Sequence, residues 1–265
     1  MNNTNKPELD FFVAVDVGNT CAKFGVFSGD RSRIFPVEVW RNDPAAVSRF
    51  FDDENRLQWV VSSVNSTNME KVIDWIVRNR PLDPITIMAH EQIPIHSVVD
   101  NPMRTGLDRL LAALGAINWT KTEISVTHET QPVLVCDFGT AITIDLATLD
   151  GVYHGGSILP GFELAAAALS DKTELLSKVN VFDVADLSYP AKNTKSSIAV
   201  GIIWGVVGAI RLFAEQFGHE KLPYILLNGF GSDRIALELR KYFPVDHVFC
   251  VDNLVLAGIR GAVRQ

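Results

Sequence analysis

Two stretches far apart in the chain repeat one pattern: an apolar run, an aspartate, one residue, a glycine, then a second extended run. The first is Phe11–Phe27, FFVAVDVGNTCAKFGVF, and the second is Val133–Leu146, VLVCDFGTAITIDL. Phe11 to Val15 is short, partly β-branched and closed by a turn signal, which predicts a buried strand. Asp16 ends that run, and Gly18-Asn19-Thr20 supplies a tight turn in which Gly18 is free to take positive φ. Lys23 to Phe27 resumes the extended pattern, so the element predicts a hairpin. Aligning Asp137 with Asp16 superimposes Gly139 on Gly18 and puts a threonine in each turn. An aspartate at a strand end, beside backbone N–H groups, a hydroxyl and a lysine, suits a metal-bound polyphosphate. Taken singly, the first stretch also reads as an ordinary hairpin with Asp and Asn as turn residues. The pair constrains more: it predicts a duplicated α/β domain with a nucleotide held between the halves.

Composition narrows the class. At 265 residues and 47% hydrophobic, the chain can bury one large core or two modest ones. A net charge of −7 and a pI near 5.4 argue against nucleic-acid binding, which needs a basic footprint. Met1–Asp10 is polar, has no signal-peptide character and is expected to be a disordered tail. The apolar run Ile198–Ile210 is shorter than a bilayer span and is followed by Arg211, so no membrane segment is expected. Cys21, Cys136 and Cys250 lack metal-ligand spacing and are odd in number, which predicts reduced thiols without a catalytic role in a cytoplasmic protein.

Between the two turns the pattern predicts strands at Val37–Arg41, Leu57–Val61 and Ile85–Met88, with helices over Pro44–Phe51 and Met69–Arg78. His90 and His96 fall in loops and are expected to be solvated or hydrogen-bonded. Asn101–Ala116, NPMRTGLDRLLAALGA, opens on a turn and carries Leu107, Leu110, Leu111 and Leu114 at helical spacing. Asp108 and Arg109 therefore lie in a first helical turn. The helix dipole alone accounts for an acid there, with Arg109 a solvated charge. The functional alternative makes Asp108 a general base for a hydroxyl attacking a γ-phosphoryl group, with Arg109 gripping an anionic substrate.

The paired turns resemble those of the actin, sugar-kinase and acetate-kinase ATPases. Their duplicated, ribonuclease H-like α/β domains face ATP across a cleft, which implies domains here at 11–118 and 131–265. More specifically, DVGNTxxK (Asp16–Lys23), NPxxxGxDRxxAA (Asn101–Ala113), DFGTAxTID (Asp137–Asp145), GGxIxPG (Gly155–Gly161) and NTxxxxxxG (Asn193–Gly201) resemble, in order and spacing, type III pantothenate kinase. A weaker match at Asp252–Leu256 extends the likeness to almost the whole chain. The resemblance implies ATP-dependent phosphorylation of pantothenate to 4′-phosphopantothenate, at the start of coenzyme A synthesis.

Carried over, it implies that Asp16, Val17, Gly18, Asn19, Thr20, Cys21, Ala22 and Lys23 form the ATP phosphate loop, with Asp16 also holding Mg2+. Gly106, Leu107, Asp108 and Arg109 would line the pantothenate site, with Asp108 as proton acceptor. Asp137 would bind a monovalent cation, K+ or NH4+, Thr140 would be a second ATP contact, and Thr194 would touch substrate. The resemblance also implies a homodimer contacting through the glycine-bearing helix Thr194–Phe213. Two departures stand out. The family's tyrosine two residues before Asn-Pro is Val99 here, and its Thr-Gly-Gly turn on the adenosine side is Asn228-Gly229-Phe230, where Phe230 either stacks on or crowds the base. A non-catalytic relative of the same fold, or a kinase for another small hydroxyl compound, are the alternatives.

Overall fold

The structure is a computed structural model and describes residues 11–28, 36, 38–50, 57–124, 126, 128–216 and 221–263. The tail Met1–Asp10 and the predicted element ends Val37 and Phe51 lie outside the described residues. The first half runs β1 (Phe11–Val17), β2 (Ala22–Ser28), β3 (Glu38–Arg41), α1 (Pro44–Phe50), β4 (Gln58–Ser63), α2 (Ser66–Asn79), β5 (Ile85–Ile87), β6 (His96–Ser97) and α3 (Leu107–Trp119). The second runs β7 (Pro132–Phe138), β8 (Ala141–Thr148), β9 (Val152–Pro160), α4 (Phe162–Asp171), α5 (Thr194–Glu215), β10 (Tyr224–Gly229), α6 (Ser232–Leu239), β11 (Val248–Cys250) and α7 (Leu254–Val263).

The duplication predicted from two turns is present in the strand order. One sheet reads β3-β2-β1-β4-β5, with β1 antiparallel to β2 and parallel to β4. The other reads β11-β10-β7-β8-β9-β6, with β7 antiparallel to β8 and parallel to β10. Ignoring β6, each sheet is a three-stranded antiparallel meander extended by two parallel strands, so β7 occupies the place of β1. Both strands read as apolar runs because a central strand is covered on both faces. Phe12 to Val15 and Val133 to Cys136 are buried throughout.

The chain divides into two compact units: one holds residues up to His96, Asp100–Ile124 and Asn253–Gln265, the other Ser97–Val99 and Ser125–Asp252. The domain 131–265 expected from sequence thus includes α7, which packs in the first unit against α3. The reason is a pair of glycines. A Cβ on Gly115 would run into the Leu254 carbonyl, and one on Gly258 into the Leu111 carbonyl. Helix separation depends on the side chains at the crossing, and here there are none to hold the backbones apart. On the opposite face of that sheet, α1 and α2 cover Val15, Phe24, Trp59 and Val61, with Val47 and Ile76 seated among them.

In the second unit, α5 buries Ile203, Val207, Ile210 and Ala214 against Leu134, Cys136, Ile225 and Leu227. The helix is longer than its apolar run suggested. At 22 residues it is long and apolar enough, by length and composition, to cross a membrane, although a stripe of it is buried within the protein. That stripe packs into the core, and the face bearing Trp204 and Leu212 is apolar and exposed.

Candidate active site

In the first unit, β1 and β2 pair so that Asp16 faces Lys23 and Val17 faces Ala22, while Asp16 also neighbours Ser62 on β4. Opposed residues on one face of a hairpin lie close enough for their side chains to interact, so carboxylate and ammonium are delivered together at the strand end. Asp16 and Lys23 are both half-buried, and Asn19 and Thr20 are exposed at the tip. Gly18 does not take the positive φ expected of it. Its N–H donates to the Cys21 carbonyl at 2.9 Å, and a Cβ there would sit 3.2 Å from that oxygen, so closeness is the reason for glycine.

Three asparagines outside the recognised motifs brace this turn. Asn68 Nδ2 donates to the Gly18 carbonyl at 3.3 Å and to the Asn19 carbonyl at 3.2 Å. Asn65, which caps α2 by accepting the Asn68 N–H, also donates to Asn19 Oδ1 at 3.2 Å. Asn42, at φ 54°, exchanges two 2.8 Å bonds with the Ala22 backbone. In a trans peptide the C=O and the following N–H point in opposite directions. Holding the Gly18 and Asn19 carbonyls toward α2 therefore aims the Asn19 and Thr20 N–H groups away from it, as an anion-binding turn requires. Asn65 was legible as a helix cap just before an apolar-periodic segment. Asn42 and Asn68 carried no local signal.

The second predicted cluster lies in the same unit and is joined to the turn. Gly106 caps α3, accepting the Arg109 and Leu110 N–H groups at 3.1 and 3.3 Å. Asp108 Oδ1 accepts the Arg109 N–H at 2.8 Å, and a Cβ on Gly106 would collide with that carboxylate. Asp108 and Arg109 are half-buried. Val64 connects the clusters: its N–H donates to the Val17 carbonyl at 3.2 Å, and its side chain lies 3.9 Å from where a Gly106 Cβ would be. His90 is hydrogen-bonded, as expected, its Nε2 lying 2.8 Å from the Thr105 carbonyl in the loop leading to α3.

In the second unit, Asp137 lies half-buried one residue before the end of β7, and Gly139 and Thr140 form an exposed turn shorter than the first. Asn228 is Asp137's neighbour on β10 and donates Nδ2 to its Oδ1 at 2.7 Å. The thiol of Cys136, next in line, is pushed far above the ordinary range by burial and then by the Asp145 and Asp137 charges, so no thiolate serves here. Gly155–Gly161 is mostly strand β9, and its glycines answer to packing. Gly156 abuts the Ile144 carbonyl, and Gly161 abuts the Gly139 and Thr140 carbonyls while its N–H donates to Thr140 O at 3.0 Å. Val99 packs beside Gly155, which adopts φ 94°. Thr194 is exposed at the start of α5, in a groove of about 290 Å³ shared with Leu169, Leu176 and Ser197.

The donor set fits the ions implied by the sequence. Among the described residues no group of three His, Cys, Asp or Glu side chains converges on a point. Mg2+ is commonly held by one or two carboxylates plus substrate phosphates rather than by an all-protein cage, which Asp16 at the turn satisfies. The oxygens of Asp137 are hard donors of the kind an alkali cation takes.

A family model described as type III pantothenate kinase matches residues 12–216. The type III pantothenate kinase of Persephonella marina (strain DSM 14350 / EX-H1) is 28% identical over 260 residues, covering 93% of this chain and 96% of its own. That of Syntrophotalea carbinolica (strain DSM 2380 / NBRC 103641 / GraBd1) is 33% identical over 268 residues, covering 94% and 96%. The solved Alp12 filament structure is similar in fold, with a TM-score of 0.51 at 11% identity over 96% of this chain and 98% of that one. The duplicated α/β fold expected from the sequence is present and is shared with that structure.

Proposed function

This chain belongs to the type III pantothenate kinase family, and on that premise we propose how its residues divide the work of the reaction. The enzyme phosphorylates pantothenate from ATP, giving 4′-phosphopantothenate at the start of coenzyme A synthesis. The observation that carries the division of roles is the union, within one unit, of the Asp16–Lys23 turn and the Asp108 helix start through Val64.

Asp16 through Lys23 bind the phosphates: the Asn19 and Thr20 N–H groups and the Lys23 ammonium offset their charge, and Asp16 holds Mg2+. Held there by Asp16, Mg2+ would supply positive charge to offset the negative charge of the phosphates. Asp108 accepts the proton of the pantothenate primary hydroxyl as its oxygen attacks the γ-phosphorus and the bond to the β-phosphate oxygen breaks, leaving ADP. The Arg109 N–H fixes the Asp108 carboxylate, and the Arg109 guanidinium suits the pantothenate carboxylate. Gly106 and Leu107 line that site, Thr194 contacts substrate, Thr140 meets ATP, and Asp137 holds K+ or NH4+. The α5 face bearing Gly201, Trp204, Gly205 and Leu212 is exposed and apolar, which supports a homodimer across it; a Gly205→Glu change converting a dimer to a monomer in sedimentation would test this. Three cysteines with no disulfide among the described residues suit a cytoplasmic location.

The test is phosphate transfer from ATP to pantothenate with magnesium and potassium present, beside Asp108→Asn, which removes a proton acceptor at almost constant volume. Transfer by the wild type and a loss of at least about a thousandfold in the variant is expected. Near-normal turnover by Asp108→Asn excludes it as an essential base, and no transfer by the folded wild type shifts the substrate to another hydroxyl compound.

A further inference from the structure

Alternation along the strands gives the first hairpin two faces: Asp16 pairs with Lys23 on one, and Val17 pairs with Ala22 on the other. The aspartate and lysine assigned to the nucleotide therefore point away from Ala22 and Phe24. On the side of Ala22 and Phe24, between the hairpin and helices α1 and α2, lies a cavity of about 320 Å³. That volume is at the lower end of small-molecule sites, roughly 300–1,000 Å³. Its body is apolar: Phe24, Pro44, Val72 and Trp75 line it, and Trp75 is fixed by an edge contact with Trp59, 6.3 Å between centroids. Lys71 is the one charged side chain among the described residues that line it. Neighbouring arginines are already matched, Arg49 with Asp43 at 2.7 Å and Arg78 with Asp74 at 3.3 Å. The Lys71 ammonium donates to the uncharged Asn68 Oδ1, at a long 3.5 Å.

An apolar slot with an ammonium group at its wall matches an aromatic ring carrying a carboxylate. The remaining walls belong to the phosphate turn. Thr20 and Cys21 come from the turn itself, and Asn42 and Asn68 are two of the asparagines that brace it. We propose that this cavity binds a small aromatic carboxylate, and that its occupant tightens nucleotide binding by packing against the turn and its braces. An open space beside a turn deprives it of contacts on that side, and an occupant supplies them. A turn already held in its binding geometry loses less freedom when the nucleotide arrives. The coupling rests on the kinase reading, whereas the cavity and its ligand class do not.

Incorporating 5-fluorotryptophan gives each of the five tryptophans its own 19F resonance, and Trp75 lies in the cavity wall. Adding 3-phenylpropanoate is expected to shift the Trp75 resonance saturably and to leave those of Trp119 and Trp204 in place. The amine of similar shape, 3-phenylpropylamine, should bind about fivefold more weakly, and Lys71→Gln, an exposed change, should reduce that preference to under about twofold. An unmoved Trp75 resonance, or a charge preference that survives Lys71→Gln, overturns the site. Isothermal titration of MgATP in saturating 3-phenylpropanoate should give about fivefold tighter binding, the low end of coupling between two sites. Unchanged or weaker MgATP binding overturns the coupling. Phosphate transfer to pantothenate without the probe tests the kinase reading separately. A Trp75 shift without transfer leaves the cavity assigned and the kinase reading failed, and transfer with Trp75 unmoved does the reverse.

Discussion

Asn228 and Asp137 sit side by side on parallel strands, and the asparagine amide donates to the aspartate carboxylate at 2.7 Å from a position only 1% exposed. A threonine, as in the family pattern, has a shorter side chain than this amide. A hydrogen bond to a charged group contributes roughly 1.5–3 kcal/mol, and more is lost when a buried partner is stranded. Asn228→Leu should lower the free energy of unfolding by about 2 kcal/mol in urea denaturation. Asn228→Asp should cost more, because it sets two carboxylates together. A change under about 0.5 kcal/mol for the leucine variant would mean the bond only orients Asp137.

If Asp137 holds the monovalent cation, replacing potassium by sodium lowers the rate of phosphate transfer, because the smaller ion draws the oxygens into a different geometry. Asp137→Asn should abolish the difference between the two salts. Identical wild-type rates in both, at equal ionic strength, would remove the assignment.

Gly115→Ala and Gly258→Ala each place a methyl group against the backbone of the facing helix. Overpacking costs typically 1–3 kcal/mol, and backbone yields less readily than a side chain, so about 2 kcal/mol or more is expected for each. Thermal melts of both variants check it. Unshifted midpoints would mean that α3 and α7 can separate without loss.

Cys250 ends β11 on the surface, but partial desolvation, then a hydrogen bond to Asp233 and its charge, push the thiol up to about 11. A raised thiol pKa means less thiolate: at pH 8 roughly one sulfur in a thousand, against about a quarter for an ordinary thiol near 8.5. Alkylation of Cys250 by iodoacetamide should therefore run about a hundredfold slower than that of a small thiol at pH 8 and rise about tenfold per pH unit towards 11. Peptide mass spectrometry follows it site by site. Cys136, fully buried, should stay unlabelled until the protein unfolds, and rapid native labelling of it would contradict the packing of β7.

The hairpins were legible because their signal is local. Apolar runs closed by Asp-x-Gly predict strand and turn from neighbours in sequence alone, and β1–β2 and β7–β8 formed as expected. The start of α3 was legible for the same reason. What failed was of another kind. Gly18 was expected to be a conformational glycine and is a spatial one, since the Cys21 carbonyl lies against it. The glycines of Gly155–Gly161 looked equally suited to packing or to ligand approach, and only the carbonyls facing Gly156 and Gly161 decided between them. Asn42 and Asn68 looked like any polar loop or helix residues until the turn they brace was in view.

The duplication, the two aspartate turns, the helix start bearing Asp108 and Arg109, and the family were all readable before any fold was in view, because each is written in contiguous residues whose spacing is the message. Tertiary structure decided the partnerships. It took α7 away from the half of the chain that precedes it and packed it on α3, coupled Asn228 to Asp137, joined the Asp16 turn to Asp108 through Val64, and gathered Asn42, Asn68 and Trp75 around one cavity. Those contacts join residues distant in sequence, and their free energy comes from close approach in space. A glycine or an asparagine carries no mark of the backbone it will meet.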